Sequence, residues 1–149
     1  MKIVTYRSAA GDKTGVVDGE QVIDLESCGF AGNMKDLLTA GIDVAAISSR
    51  LAQGAATPLA DVELLAPIPN PGKVLAIGVN YGDHIEESGM EAPKHQVWFN
   101  KQHNCINGPY ADINLPMVSS RLDYEAELCV VIGKRCKHVP REKAHEVIA

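Results

Sequence analysis

The chain lacks any close pairing of cysteines. Cys28, Cys105, Cys129 and Cys136 are spread along 149 residues with no CxxC and no Cys/His spacing of the zinc type, which excludes a thiolate zinc site and a dithiol redox motif. All four are expected to be reduced and structural, Cys129 as a small hydrophobe inside an apolar strand. Clustered lysine and arginine are also missing, and a net charge of −5 gives no footprint for nucleic acid. No apolar run approaches the length of a membrane span. Residues 1–7 read as a first strand without the long apolar core of a signal peptide. These absences leave a cytoplasmic protein, with neither nucleic acid nor membrane as a partner. What is present is ordinary for a globular protein: 46% apolar and 22% charged residues, which argue against a disordered or fibrous chain. The length suits one domain, or a small domain plus part of another.

Residues 1–66 read as a small α+β domain of their own. Residues 3–6, 14–17 and 21–25 are short strand candidates, separated by Gly11-Asp12 and Asp18-Gly19, and Asp-Gly between apolar runs is a hairpin signal. Asn33 is placed to cap a helix that Gly41 stops, residues 43–53 read as a second helix, and 62–65 return as a strand. No polar chemistry is clustered in this part, so a cap or packing role is expected of it. Pro67, Pro69 and Pro71 mark the boundary, because proline fits neither a sheet ladder nor a helix interior. Residues 67–149 then form the second region. It opens with a buried strand at 73–78, a short polar helix at 84–88, a strand at 97–101 and a turn at 107–110. Pro140 starts a helix whose closing cap is absent, from which more chain is expected to follow Ala149.

The richest segment is Leu122-Asp123-Tyr124-Glu125-Ala126-Glu127-Leu128, running into Cys129-Val130-Val131-Ile132-Gly133. Alternation followed by β-branched residues predicts a strand, on which positions two apart share a face. Asp123, Glu125 and Glu127 then point one way, about 6–7 Å apart from one to the next. Two carboxylates at that spacing can converge on a cation, and an all-oxygen set favours Mg²⁺, Mn²⁺ or Ca²⁺ over zinc. A wet acidic strand face with no ligand is the competing reading. A second cluster is Asn80-Tyr81-Gly82-Asp83-His84-Ile85-Glu86-Glu87. With Asp83 as helix cap, His84 and Glu87 share a face, and a carboxylate that fixes one imidazole nitrogen leaves the other to take a proton from water. A casual surface ion pair is the plainer alternative.

Taken together and in order, these pieces resemble the fumarylacetoacetate hydrolase family: Gly78-Val79-Asn80-Tyr81 with His84 and Glu87, then Phe99-Asn100-Lys101, then Asp123 to Leu128 with Val131-Ile132-Gly133. The resemblance covers roughly residues 67–149, and the first 66 look like the small N-terminal domain of many bacterial members. It implies a mixed-β (α+β) protein, with a β-roll or sandwich catalytic domain preceded by the small domain and the catalytic part incomplete. It implies Glu125 and Glu127 as two of three metal-binding carboxylates, the third being an aspartate beyond Ala149. It further implies His84 and Glu87 as the water-activating pair, Lys101 as a catalytic residue, and Asp123 and Tyr81 as supporting groups around the site. The activity implied is cleavage of a carbon–carbon bond in a 1,3-diketo acid such as an acylpyruvate, fumarylpyruvate or sugar-derived diketo acid. Mg²⁺ would be the cofactor, with Mn²⁺ or Ca²⁺ as alternatives, and the expected assembly is a homodimer. Isomerisation or decarboxylation of related oxo acids would use the same groups. A non-catalytic fragment acting as an interaction module is the reading from another class.

Overall fold

Two antiparallel strands begin the chain, β1 (Lys2–Ser8) and β2 (Gly11–Asp18), in a register that pairs Ser8 with Gly11. The turn is therefore Ala9-Ala10, two residues before the Gly11-Asp12 position expected from sequence. Ser8 explains the shift: its hydroxyl accepts from the Ala10 N–H at 3.2 Å and donates to the Gly11 carbonyl at 2.8 Å. Gly11, at φ +112°, supplies the left-handed backbone that returns the chain. The next turn falls where Asp18-Gly19 predicts, with Gly19 at φ +57°, and leads into β3 (Gln21–Asp24).

Two short edge strands complete a five-stranded sheet in the order β4-β3-β2-β1-β5, with β4 at Ala56–Pro58 and β5 at Glu63–Leu64. The sequence did not announce β4, which is three residues long and ends in a proline that only a sheet edge tolerates. One layer of helix covers the sheet. Helix α1 (Met34–Ala40) starts with a reciprocal cap: the Asn33 side chain accepts from the Lys35 and Asp36 N–H groups, and the Asp36 carboxylate accepts from the Asn33 N–H. Helix α2 (Val44–Arg50) is capped by Asp43, then tightens into a single 3₁₀ turn over Leu51–Gln53 before Gly54, where a Cβ would strike Ile23 and Cys28. The predicted helix over 43–53 is thus an α-helix with a 3₁₀ end. Val16, Leu25 and Ile47 form the core, with Ile3, Phe30, Leu37, Ile42 and Leu51 packed around them.

The structure is a computed structural model describing residues 1–149. Its contacts divide it into two units, Met1–Ile68 with Asn107–Ala149, and Pro69–Ile106. In the first unit, residues 107–149 add no strand to the sheet. The tail expected as an α-helix winds instead as 3₁₀ turns over Arg141–Val147, with the Lys143 N–H donating to the Pro140 carbonyl three residues back. Its end is held by an antiparallel bridge between Ile132 and Ile148. The second unit holds a two-stranded antiparallel sheet, β6 (Val74–Gly78) with β7 (Val97–Lys101), and helix α3 (Gly82–Ser88). Strand β6 is half-exposed rather than buried as predicted, because a single partner strand covers one edge and leaves both faces of the ribbon thinly packed.

Candidate functional site

Residues proposed for catalysis are carried by the second unit. Strand β6 ends at Gly78, and Val79 follows with φ +54°, a left-handed backbone that a β-branched residue adopts only at a cost of about 1–3 kcal/mol. The left-handed backbone at Val79 is a feature that the Gly-Val-Asn-Tyr sequence does not announce. Helix α3 begins immediately afterwards. Its N-cap is Tyr81, not Asp83, which lies in the first turn where its charge suits the helix dipole. The correction keeps His84 and Glu87 three apart on one helical face, both exposed to solvent. Gly89 closes the helix at φ +64°, donating its N–H to the Glu86 carbonyl at 3.2 Å.

Lys101 ends β7 opposite Val74, at the far end of the ladder from the Gly78–Val97 pair that leads to α3. Its ammonium stands 5.9 Å from the centroid of its neighbour Phe99's ring, a cation–π contact across an exposed strand.

The carboxylates belong to the first unit, and here the structure departs from expectation. Residues 121–131 run without ladder, turn or bend, so Asp123, Glu125 and Glu127 do not share the face of a formed strand. A strand needs a neighbour to take its backbone hydrogen bonds, and neither sheet contains a residue beyond Lys101. Tyr124 and Leu128, meant for the opposite face, are 87% and 83% exposed, and Cys129 is exposed rather than packed. Asp123 turns its Oδ1 to the Tyr124 N–H at 2.8 Å. All four cysteines are free thiols, but only Cys28 is buried.

No group of three or more His, Cys, Asp or Glu side chains is gathered for a metal ion. Glu125 and Glu127 fit a hard cation in donor chemistry, since both offer only carboxylate oxygen, and they would supply part of the six or more oxygens such an ion takes.

The comparisons with known proteins bear on the same residues. Residues 73–149, more than half the chain, match the family described as fumarylacetoacetate (FAA) hydrolase C-terminal. A mitochondrial oxaloacetate tautomerase, Fahd2a of Rattus norvegicus, is 44% identical over 92 residues, covering 62% of this chain and 28% of that protein. Among solved structures, maleylpyruvate hydrolase from Sphingobium sp. SYK-6, in complex with manganese(II) and pyruvate, is similar at TM-score 0.80 and 32% identity over 99% of this chain and 55% of its own. A 5-carboxymethyl-2-hydroxymuconate delta-isomerase from Mycobacterium smegmatis is similar at TM-score 0.71 and 32% identity over 99% of this chain and 51% of its own. The chain therefore spans about half of these solved structures and less of the tautomerase. No helix is long and apolar enough to cross a membrane. The α+β class read from the sequence holds, and the chain belongs to the fumarylacetoacetate hydrolase family.

Proposed function

We propose that this chain forms part of a divalent-metal-dependent hydrolase that cleaves a carbon–carbon bond in a 1,3-diketo acid of the acylpyruvate, fumarylpyruvate or sugar-derived type. The observation that carries this reading is the likeness to the Sphingobium hydrolase, whose structure holds manganese and pyruvate, the keto-acid product such a cleavage releases. Glu125 and Glu127 would hold the cation, with an aspartate from the remainder of the fold as third ligand. When bound, Mg²⁺, or Mn²⁺ or Ca²⁺ in its place, supplies Lewis-acid charge to the oxo acid. His84, on the face it shares with Glu87, takes a proton from water while the water oxygen adds to the distal carbonyl. The bond to the central carbon then breaks, its electron pair leaving as a pyruvate-type enolate that His84 reprotonates. Lys101 offers a fixed positive charge to the acid substrate, with Asp123 and Tyr81 as supporting groups.

Isomerase or tautomerase chemistry is the second reading, favoured by the isomerase and tautomerase names of two similar proteins. Decarboxylation would also run through the same enolate. The proposed setting is the cytoplasm, where the free thiols stay reduced, and the proposed assembly is a homodimer of the completed fold. Neither nucleic acid nor membrane is proposed as a partner.

The test is calorimetric titration of Mn²⁺ and Mg²⁺ into the chain combined with the complementary half of the fold, taken from the part of the Sphingobium hydrolase that this chain does not match. The Glu125→Gln, Glu127→Gln double variant is expected to lose the binding heat. Unchanged affinity would place the metal elsewhere.

A further inference from the structure

On one face of the larger sheet Val16 packs with Ile47 in the core. Tyr6, Lys13, Gly15 and Asp24 share the other face, because Tyr6 pairs with Lys13 and Gly15 with Asp24 across the strands, and Lys13 and Gly15 lie two apart. Gly15 opens this face. A Cβ there would stand 3.0 Å from the Tyr6 Cε1 and 2.6 Å from a Val22 methyl, so the glycine lets the tyrosine ring lie across β2. Tyr6 is only 4% exposed, yet its hydroxyl makes no hydrogen bond within the chain. A buried tyrosine hydroxyl ordinarily finds a partner. Here Tyr6 borders an open cleft of about 480 Å³, whose walls also include Lys13, Asp24, Ala55, Thr57 and Asp61. That volume lies within the range of small-molecule sites.

We propose that this cleft binds a small neutral polyol, of the size and hydroxyl density of a monosaccharide, with the Tyr6 hydroxyl as its buried anchor. The charges around it are already answered. The Lys13 ammonium lies 2.7 Å from Asp24 Oδ2 and 3.2 Å from Glu26 Oε2, and Asp24 Oδ1 accepts from the Glu26 N–H at 3.0 Å. An anion would meet a lysine whose charge two carboxylates offset, and a cation would have to displace that lysine to reach Asp24. Arg7 and Lys13 balance Asp24 and Asp61, so the lining carries no net charge. What stays uncommitted is hydrogen-bonding capacity: the Tyr6 O–H, the third N–H of Lys13, the Thr57 hydroxyl and the Asp61 carboxylate. Burial, and then the Asp24 charge, hold the phenol in its protonated form, with a hydrogen to donate. Donors and acceptors around an uncharged cleft suit hydroxyl groups, each of which both donates and accepts. None of these residues is a catalytic or metal candidate, so the site stands or falls independently of the hydrolase reading.

Titration of the 149-residue chain with D-glucose, D-glucosamine and D-gluconate, followed by the amide signals in NMR spectra, tests the site and its charge class together. Glucose should shift the amides of Tyr6, Lys13, Asp24 and Thr57 saturably, with a Kd of about 1–10 mM. Glucosamine and gluconate, of similar size but charged, should bind at least roughly tenfold more weakly. Tyr6→Phe keeps the ring over Gly15 and removes only the hydroxyl, and should weaken glucose binding about fivefold or more. If Tyr6→Phe loses the dispersed signals of β1 and β2, Thr57→Val, at an exposed position of the edge strand, is read in its place with the same expected loss. No saturable shift with glucose would mean that water alone satisfies the Tyr6 hydroxyl, and overturns the proposal. Binding of either charged sugar as tightly as glucose overturns the neutral class, and affinity unchanged in the variant overturns the assignment to this cleft.

Discussion

The two sheets are built from comparable residues, yet only one of them has an interior. Strands β6 and β7 carry Val-Leu-Ala-Ile-Gly and Val-Trp-Phe-Asn-Lys, no less apolar than the Ile, Val and Thr of β1 and β2. Every buried residue nevertheless lies between Thr5 and Ile47, in the five-stranded sheet and its helices. The difference is the covering layer. On the larger sheet Val16 and Leu25 meet Ile47 from α2, whereas Leu75, Trp98 and Phe99 of the smaller sheet stand exposed. An apolar strand states a demand for burial, and only a second layer meets it. Catalytic candidates His84, Glu87 and Lys101 sit in the weakly packed unit, which fits the general pattern that binding segments come from the low-stability part of a fold.

The largest expected effect tests whether that weakly packed unit holds the chemistry. In the chain combined with its complementary half, His84→Ala should lower turnover by roughly 10²–10⁴, the usual range for losing a general base, with Mn²⁺ affinity little changed. A kcat within a factor of about two of the parent would remove His84 from the mechanism. Next comes a direct contrast of the two sheets. Ile47, fully buried, should cost about 2–5 kcal/mol when cut to alanine, read from urea unfolding of the isolated chain. Trp98→Ala, at a side chain 55% exposed, should move the same transition by only about 0.5 kcal/mol. Equal losses would mean that the smaller sheet has a core after all.

Asn33→Ala should cost about 1 kcal/mol by removing the oxygen that accepts two N–H groups of α1, visible as a lower urea midpoint. The smallest effect is alkaline. Hydrogen bonds from the Lys13 ammonium to Asp24, at 2.7 Å, and to Glu26 hold it above the ordinary lysine range. Burial first, and then the nearby Asp24 charge, push the Tyr6 hydroxyl up as well. Both groups bind their protons more tightly folded than unfolded. Their contribution is therefore complete below the ordinary values of 10.0 and 10.5 and is lost as pH rises through the raised ones. Melting temperatures from pH 8 to 12 should fall above about pH 10, and less steeply for Lys13→Met.

Local chemistry was legible in the sequence wherever it was self-contained. Asn33, Gly41 and Gly19 announce caps and turns that need no distant partner, and the structure keeps each. Ser8 hid the first turn because a hydroxyl can stabilise Ala-Ala where composition offers no signal. The acidic strand failed for a different reason. Its alternation describes a side-chain pattern, but backbone pairing depends on a neighbour that no residue between 122 and 133 encodes. The candidate site residues were chosen by their types and order, whereas the strain at Val79 is a backbone property that a valine does not advertise.

Confinement of every buried side chain to the first 47 positions also sets an order of events during synthesis. All five strands of the larger sheet fall within residues 2–64, so its contacts are local enough to close once the first 68 residues have emerged. At about 5–20 residues per second, the five-stranded sheet therefore stands finished as an anchor while residues 69–149 are still being made.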